Sequence, residues 1–82
     1  MSVSEIRTQF LMTVRDDDGR HWNIGAGVDR RGRVVLILPG WNHKTGKPEA
    51  TYLPLPLVTA TKYLRNVRLA VVEAARRTTR LI

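Results

Sequence analysis

VDRRGRVVLILPGWNHKTGKP (residues 28–48) packs an arginine-bearing turn, five unbroken aliphatics, a Trp and two lysines into one short stretch. Asp29 to Gly32 has the length and the glycine of a hairpin turn. Val34 to Leu38 contains no polar position, which predicts a strand covered on both faces. Pro39 and Gly40 then end or kink it, and Trp41 to Pro48 reads as a polar loop.

Upstream, residues 6–14 (IRTQFLMTV) alternate, with Ile6, Thr8, Phe10, Met12 and Val14 on one face, which predicts a half-buried strand. Asp16 to Gly19 is a turn cluster. Beyond it Trp22, Ile24, Ala26 and Val28 share the face expected to be core, while the opposite face, with Gly25 and Gly27, is nearly bare. Glycines there let a backbone or ligand come close, or let the strand bend. Downstream, a short fourth strand is expected around Ala50 to Leu53, and Pro54-Leu55-Pro56 must be extended because proline disfavours helix just before it.

From about Leu57 the apolar period changes to 3.6. Ala60, Tyr63, Leu64, Val67, Ala70, Val71, Ala74 and Ala75 form one broad stripe, predicting an amphipathic helix of about twenty residues. Thr59 is a candidate N-cap, with Pro56 in the first turn as the alternative. Arg76, Arg77 and Arg80 cluster at the end where the helix dipole favours cations. Leu69 and Val72 interrupt the polar face and are the candidate dimer contact. The expected architecture is α+β: a four-stranded antiparallel meander sheet followed by one C-terminal helix (ββββα), dimeric, with residues 1–82 as a single domain.

Composition narrows the function classes. A chain of 82 residues buries only about 60–65% of the surface its unfolded form exposes, so its core is thin and oligomerisation would help it. Without cysteine there is neither disulfide nor thiolate metal site, and two histidines make zinc unpromising; no metal and no small-molecule cofactor are expected. No apolar run reaches the roughly 18–20 residues that span a bilayer, and the N-terminus lacks a signal-peptide layout, so the expectation is a soluble, cytoplasmic, nucleoid-associated protein without a membrane partner. Fourteen Lys and Arg against seven Asp and Glu give a net charge of +7, which favours a polyanion because each neutralised phosphate releases a counterion. Eleven of those cations are Arg, whose planar donors fork onto phosphate and stack on bases.

Catalytic motifs do not assemble. Asp16-Asp17-Asp18-Gly19 lacks the spaced acids and terminal Glu of a calcium loop. Gly25, Gly27 and Gly32 do not fit the dinucleotide spacing. His21 and His43 stand without a neighbouring nucleophile, and serine occurs only at positions 2 and 4. The chain is read as non-enzymatic, and no internal repeat is apparent.

The order of strands, the run VDRRGRVVLILPGW, the loop with GKP, the proline turn and the closing helix together resemble the single-stranded-DNA-binding domain of the positive cofactor four transcriptional coactivators and their small prokaryotic and phage relatives. The resemblance covers roughly residues 22–78. It implies that the turn cations Arg30, Arg31 and Arg33, the aromatic Trp41, and the loop lysines Lys44 and Lys47 line paired channels across a dimer that grips single strands. Independently of any family, an aromatic beside a lysine loop suits base stacking while Arg and Lys follow phosphates. The expected function is a dimeric, largely sequence-independent binder of single-stranded DNA or RNA, serving as a transcription or replication cofactor. The alternatives are a duplex-DNA-binding sheet module and a small protein-interaction or inhibitor module.

Overall fold

A computed structural model describes residues 6–80; residues 1–5, which the signal-peptide expectation concerns, residues 81–82 and the side chain of Arg80 lie outside the described part. Strands β1 (Ile6–Arg15), β2 (His21–Asp29) and β3 (Val34–Leu38) are followed by a two-residue hairpin, β4 (Trp41–Asn42) with β5 (Lys47–Pro48), then by β6 (Thr51–Leu55) and helix α1 (Leu57–Arg80). The main sheet is antiparallel in the order β1-β2-β3-β6, an α+β meander closed by one C-terminal helix, as the strand and helix periods predict.

Two of its turns are built alike. In Asp16–Arg20 the Gly19 N–H donates to the Asp16 carbonyl (3.0 Å), the Asp16 N–H donates to the Arg20 carbonyl (2.9 Å), and Asp16 Oδ1 accepts the N–H groups of Asp18 and Arg20. In Asp29–Arg33 the same bonds recur, with Gly32 on the Asp29 carbonyl (3.1 Å) and Asp29 Oδ1 accepting from Arg31 and Arg33. Gly19 (φ 81°) and Gly32 (φ 75°) take the left-handed position that closes such hairpins. The sequence Asp-x-x-Gly-Arg is therefore a repeat after all, one of turn chemistry. Only the second carboxylate oxygen is used differently: Asp16 Oδ2 accepts the Trp22 indole N–H (2.7 Å), and Asp29 Oδ2 accepts Arg33 Nε (2.8 Å).

Both carboxyls are held below the ordinary aspartate range. For Asp16 the indole bond of Trp22 contributes most, then the Arg20 N–H. For Asp29 burial pushes the carboxyl up, but the N–H groups of Arg33 and Arg31 and the Arg33 guanidinium together outweigh it. A group with a depressed folded pKa stabilises the fold above its unfolded value, near ~3.9 for aspartate, and that contribution fades as pH falls through the folded value. The denaturation midpoint should thus decline below about pH 4, and an Asp16→Asn/Asp29→Asn double variant should show a lower midpoint at neutral pH and a shallower acid limb. Equal pH profiles for the two proteins would rule out these turns as the source.

Register shows which face is covered. Val35, Ile37 and Tyr52 share a face with Gly25 and Gly27, and Val35 is fully buried while Ile37 is nearly so. A bulge in β1 between Ile6 and Thr8 turns Ile6 onto this same face, where it completes the small core of Ile6, Val35 and Ile37. A Cβ on Gly27 would stand 2.6 Å from the Thr8 carbonyl and the Ile6 side chain, and one on Gly25 would meet the Phe10 carbonyl. The bare side of β2 thus admits the chain's own β1.

The alternation of β1 and β2 predicts the opposite face as core. In the single chain that face is not sealed: Phe10 is 71% exposed, Met12 and Val14 are exposed, and Trp22, Ile24, Val34, Leu36, Leu38 and Leu55 are partly buried. Val34 and Leu36 also correct the expectation that β3 is sealed on both sides; one face is sealed and the other is partly exposed. The fourth strand runs on through Pro54 to Leu55, two residues past its expected end, since an edge position tolerates the missing N–H.

Helix α1 begins right after Pro56, whose carbonyl accepts the first helical bond from Ala60 (2.9 Å), so Thr59 sits inside the first turn and caps nothing. From Thr61 onward every described helical residue is exposed, including the stripe of Tyr63, Leu64, Val67 and Val71. The radius of gyration is 15.4 Å, against roughly 12 Å for a compact chain of this length. The accessible surface is 7025 Å², roughly 2,000 Å² above that of a folded monomer of this mass.

Candidate nucleic-acid interface

The arginine turn is closed by hydrogen bonds to Asp29, and its cations differ in duty. Arg30 and Arg31 occupy the two outer turn positions, exposed and without a carboxylate partner among the described residues. Arg33 is tied to Asp29, itself only 5% exposed, by a 2.8 Å ion pair, so one of its guanidinium donors already serves the turn. Asp29 and the three arginines line an open concavity of about 320 Å³ at this end of the sheet. Sequence reasoning does not single out Asp29; the signal that finds it is the Asp-x-x-Gly frame shared with Asp16.

At the other end, Trp41 and the lysines ride on the β4–β5 hairpin. Asn42 organises it: its Oδ1 accepts the N–H groups of Lys44 (2.9 Å) and Thr45 (3.3 Å), its carbonyl accepts from Gly46 (φ 68°), and its Nδ2 donates to Glu49 Oε2 (2.7 Å). Pro39-Gly40 lets the hairpin leave β3 closely, because a Cβ on Gly40 would meet the Thr51 hydroxyl and the Glu49 carbonyl. Trp41 pairs with Pro48 across the hairpin and is 50% exposed, and Lys44 and Lys47 are exposed. Asn42 and Glu49, too, escape a reading by residue type; a short polar loop closing on Asn-x-x-x-Gly is the pattern that marks them.

The six expected contact residues therefore form two groups rather than one. β3 separates them by roughly 13 Å at ~3.3 Å per residue, before the flanking residues are counted. The hairpin shares its end of the sheet with the first turn, where Asp17 and Asp18 are exposed, so the arginine end is the more cationic of the two. Leu69 and Val72, the expected dimer contact, are both 60% exposed, and at 100° per residue they lie on the side of α1 away from the wide stripe.

Compared with family models, curated proteins and solved structures, the chain matches none. Its chemistry must be read from its own surfaces. Among the described residues no helix is long and apolar enough to cross a membrane. The open sheet face is apolar from Phe10 to Leu53, while the exposed polar side chains Gln9, Thr13, Arg15, His21 and Asn23 of β1 and β2 lie on the opposite face.

Proposed function

We propose that this chain works as a homodimer that binds single-stranded nucleic acid with little sequence preference and without catalysis, as the resemblance to the positive cofactor four coactivators implies. The observation that carries the reading is the pairing of a half-exposed indole on an ordered hairpin with two unpaired arginines on an ordered turn, at either end of one strand. Bases stack on Trp41, and Arg30 and Arg31 take phosphates, with Lys44 and Lys47 beside the indole and Arg33 held mainly as the brace of its turn. A separation of more than a dozen ångströms suits a site of several nucleotides, within the range of about 4–16 common for stacking platforms.

Area supports the dimer. If both chains bury the surplus of roughly 2,000 Å², the interface totals about 4,000 Å², the size of obligate dimers. The open sheet face and the wide helical stripe are the two apolar surfaces available, and α1 leaves its own sheet uncovered, so each helix is assigned to the sheet face of the partner. Leu69 and Val72 are the lesser contact: they are only two residues, with Arg65 and Arg76 about one turn to either side, and a symmetric helix pair centred there would set guanidinium against guanidinium.

The deciding experiment is a fluorescence titration with oligothymidine and with a duplex of equal length at equal salt. Tighter binding of the single strand, weakening steeply with salt, is the expected result. A duplex that binds better defeats the reading, and a preparation free of nucleic acid that ignores both would point to a protein partner instead.

A further inference from the structure

Most of the charge that makes this protein basic is not at the strand site. Residues 57–80 hold Lys62, Arg65, Arg68, Arg76, Arg77 and Arg80 against one acid, Glu73, so α1 carries +5 of the net +7. Lys62, Arg65 and Arg68 have no carboxylate partner among the described residues. Arg76 and Arg77 share Glu73 at 3.5 and 3.2 Å and remain largely exposed. At 100° per residue Lys62, Arg65 and Arg76 lie opposite the stripe of Tyr63, Val67 and Val71, while Arg68 and Arg77 flank it on its two borders. A partner chain covering the stripe leaves Lys62, Arg65 and Arg76 facing water.

Helix-dipole complementarity accounts for Arg76 and Arg77 near the C-terminus, but Lys62 and Arg65 lie toward the other, positive end and Arg68 at the middle. Position supplies a second argument. Leu55 pairs with Val34, next to Arg33, and only Pro56 separates β6 from α1, so the helix starts at the arginine end of the sheet. From Lys62 to Arg77 the cations run for about 22 Å at 1.5 Å per residue.

We infer that this face of α1 is a second polyanion-binding surface, along which the phosphates of a single strand continue after leaving the arginine turn. The inference rests on the single-strand reading above and extends it from a short site to a long one. A basic helix also suits an anionic lipid surface, but the stripe it would insert there is the one assigned to the partner chain.

The test replaces Lys62, Arg65 and Arg68 with Gln and compares oligothymidines of about 8 and about 30 nucleotides across a salt series. The short strand should bind the variant within about twofold of wild type, while the long one should weaken about tenfold or more at low salt, its salt slope falling by about 0.7 for each phosphate no longer neutralised. An Arg65→Lys/Arg68→Lys variant of unchanged helicity should keep the wild-type slope, which separates charge from folding. An unchanged slope for the long strand in the Gln variant overturns this inference and leaves the strand site standing. Equal losses for both lengths overturn it as well, since the cations would then belong to the first site. Failure of wild type to bind either strand, with or without capture by vesicles of anionic phospholipid, overturns both readings.

Discussion

Val67→Glu/Val71→Glu is expected to convert the proposed dimer into monomers and to abolish the concentration dependence of its melting. The two positions lie at the centre of the wide stripe, and each is exposed in the single chain although its stripe has the composition of a core. Burying one such side chain contributes about 1.5–3 kcal/mol, and two-fold symmetry applies every substitution twice. Even the low end gives about 6 kcal/mol per dimer, which is more than a thousandfold in Kd, and the buried carboxylates would add to it. Sedimentation equilibrium reads the mass directly against the 9.3 kDa of one chain. The companion variant Leu69→Glu/Val72→Glu should cost much less, because that patch is small and bounded by arginines. If it is the more damaging of the two, the helices meet at Leu69 and Val72 and the sheet faces are covered in some other way. A wild-type protein that sediments as a monomer and melts cooperatively at one temperature over a wide concentration range would remove the dimer altogether.

The same open face explains what is legible in the sequence and what is not. Alternation in residues 6–14 and 22–28, the glycine turns and the change to a 3.6 period at Leu57 locate every main element, because each is a local property. They do not say which of two unlike faces a chain buries within itself. Here the core lies on the glycine face, because the bulge at Ile6 brings an aliphatic over Gly27 and lets β1 close on β2. The face rich in Phe10, Met12 and Ile24 looks like core in sequence because alternation marks an apolar face and not what covers it. The site is legible as residue types and not as an arrangement. Arg30 to Lys47 are neighbours in sequence, yet β3 runs between them as a straight spacer, and the buried Asp29 that takes up Arg33 reads in sequence as an ordinary turn residue.

That arrangement makes the contributions of indole and guanidinium separable. Trp41→Ala should weaken binding of oligothymidine by about 1–3 kcal/mol, roughly 5- to 150-fold, with the salt slope unchanged, because stacking releases no counterion. Arg30→Ala/Arg31→Ala should lower both the affinity and the slope, the latter by about 0.7 for each phosphate left without its cation. Neither change should move the melting temperature much, since both turns of chain are held by backbone bonds to Asp29 and Asn42 and not by these side chains. Arg33→Ala should behave in the opposite way: it leaves a nearly buried carboxylate without its ion pair, so stability should fall while the slope changes less. The three variants thus form a pattern of affinity, slope and melting temperature that a diffuse basic surface cannot reproduce, for on such a surface every arginine would shift the slope alike and the indole would shift nothing. A Trp41→Ala protein that binds as tightly as wild type would break the pattern at its first member and take the stacking site with it.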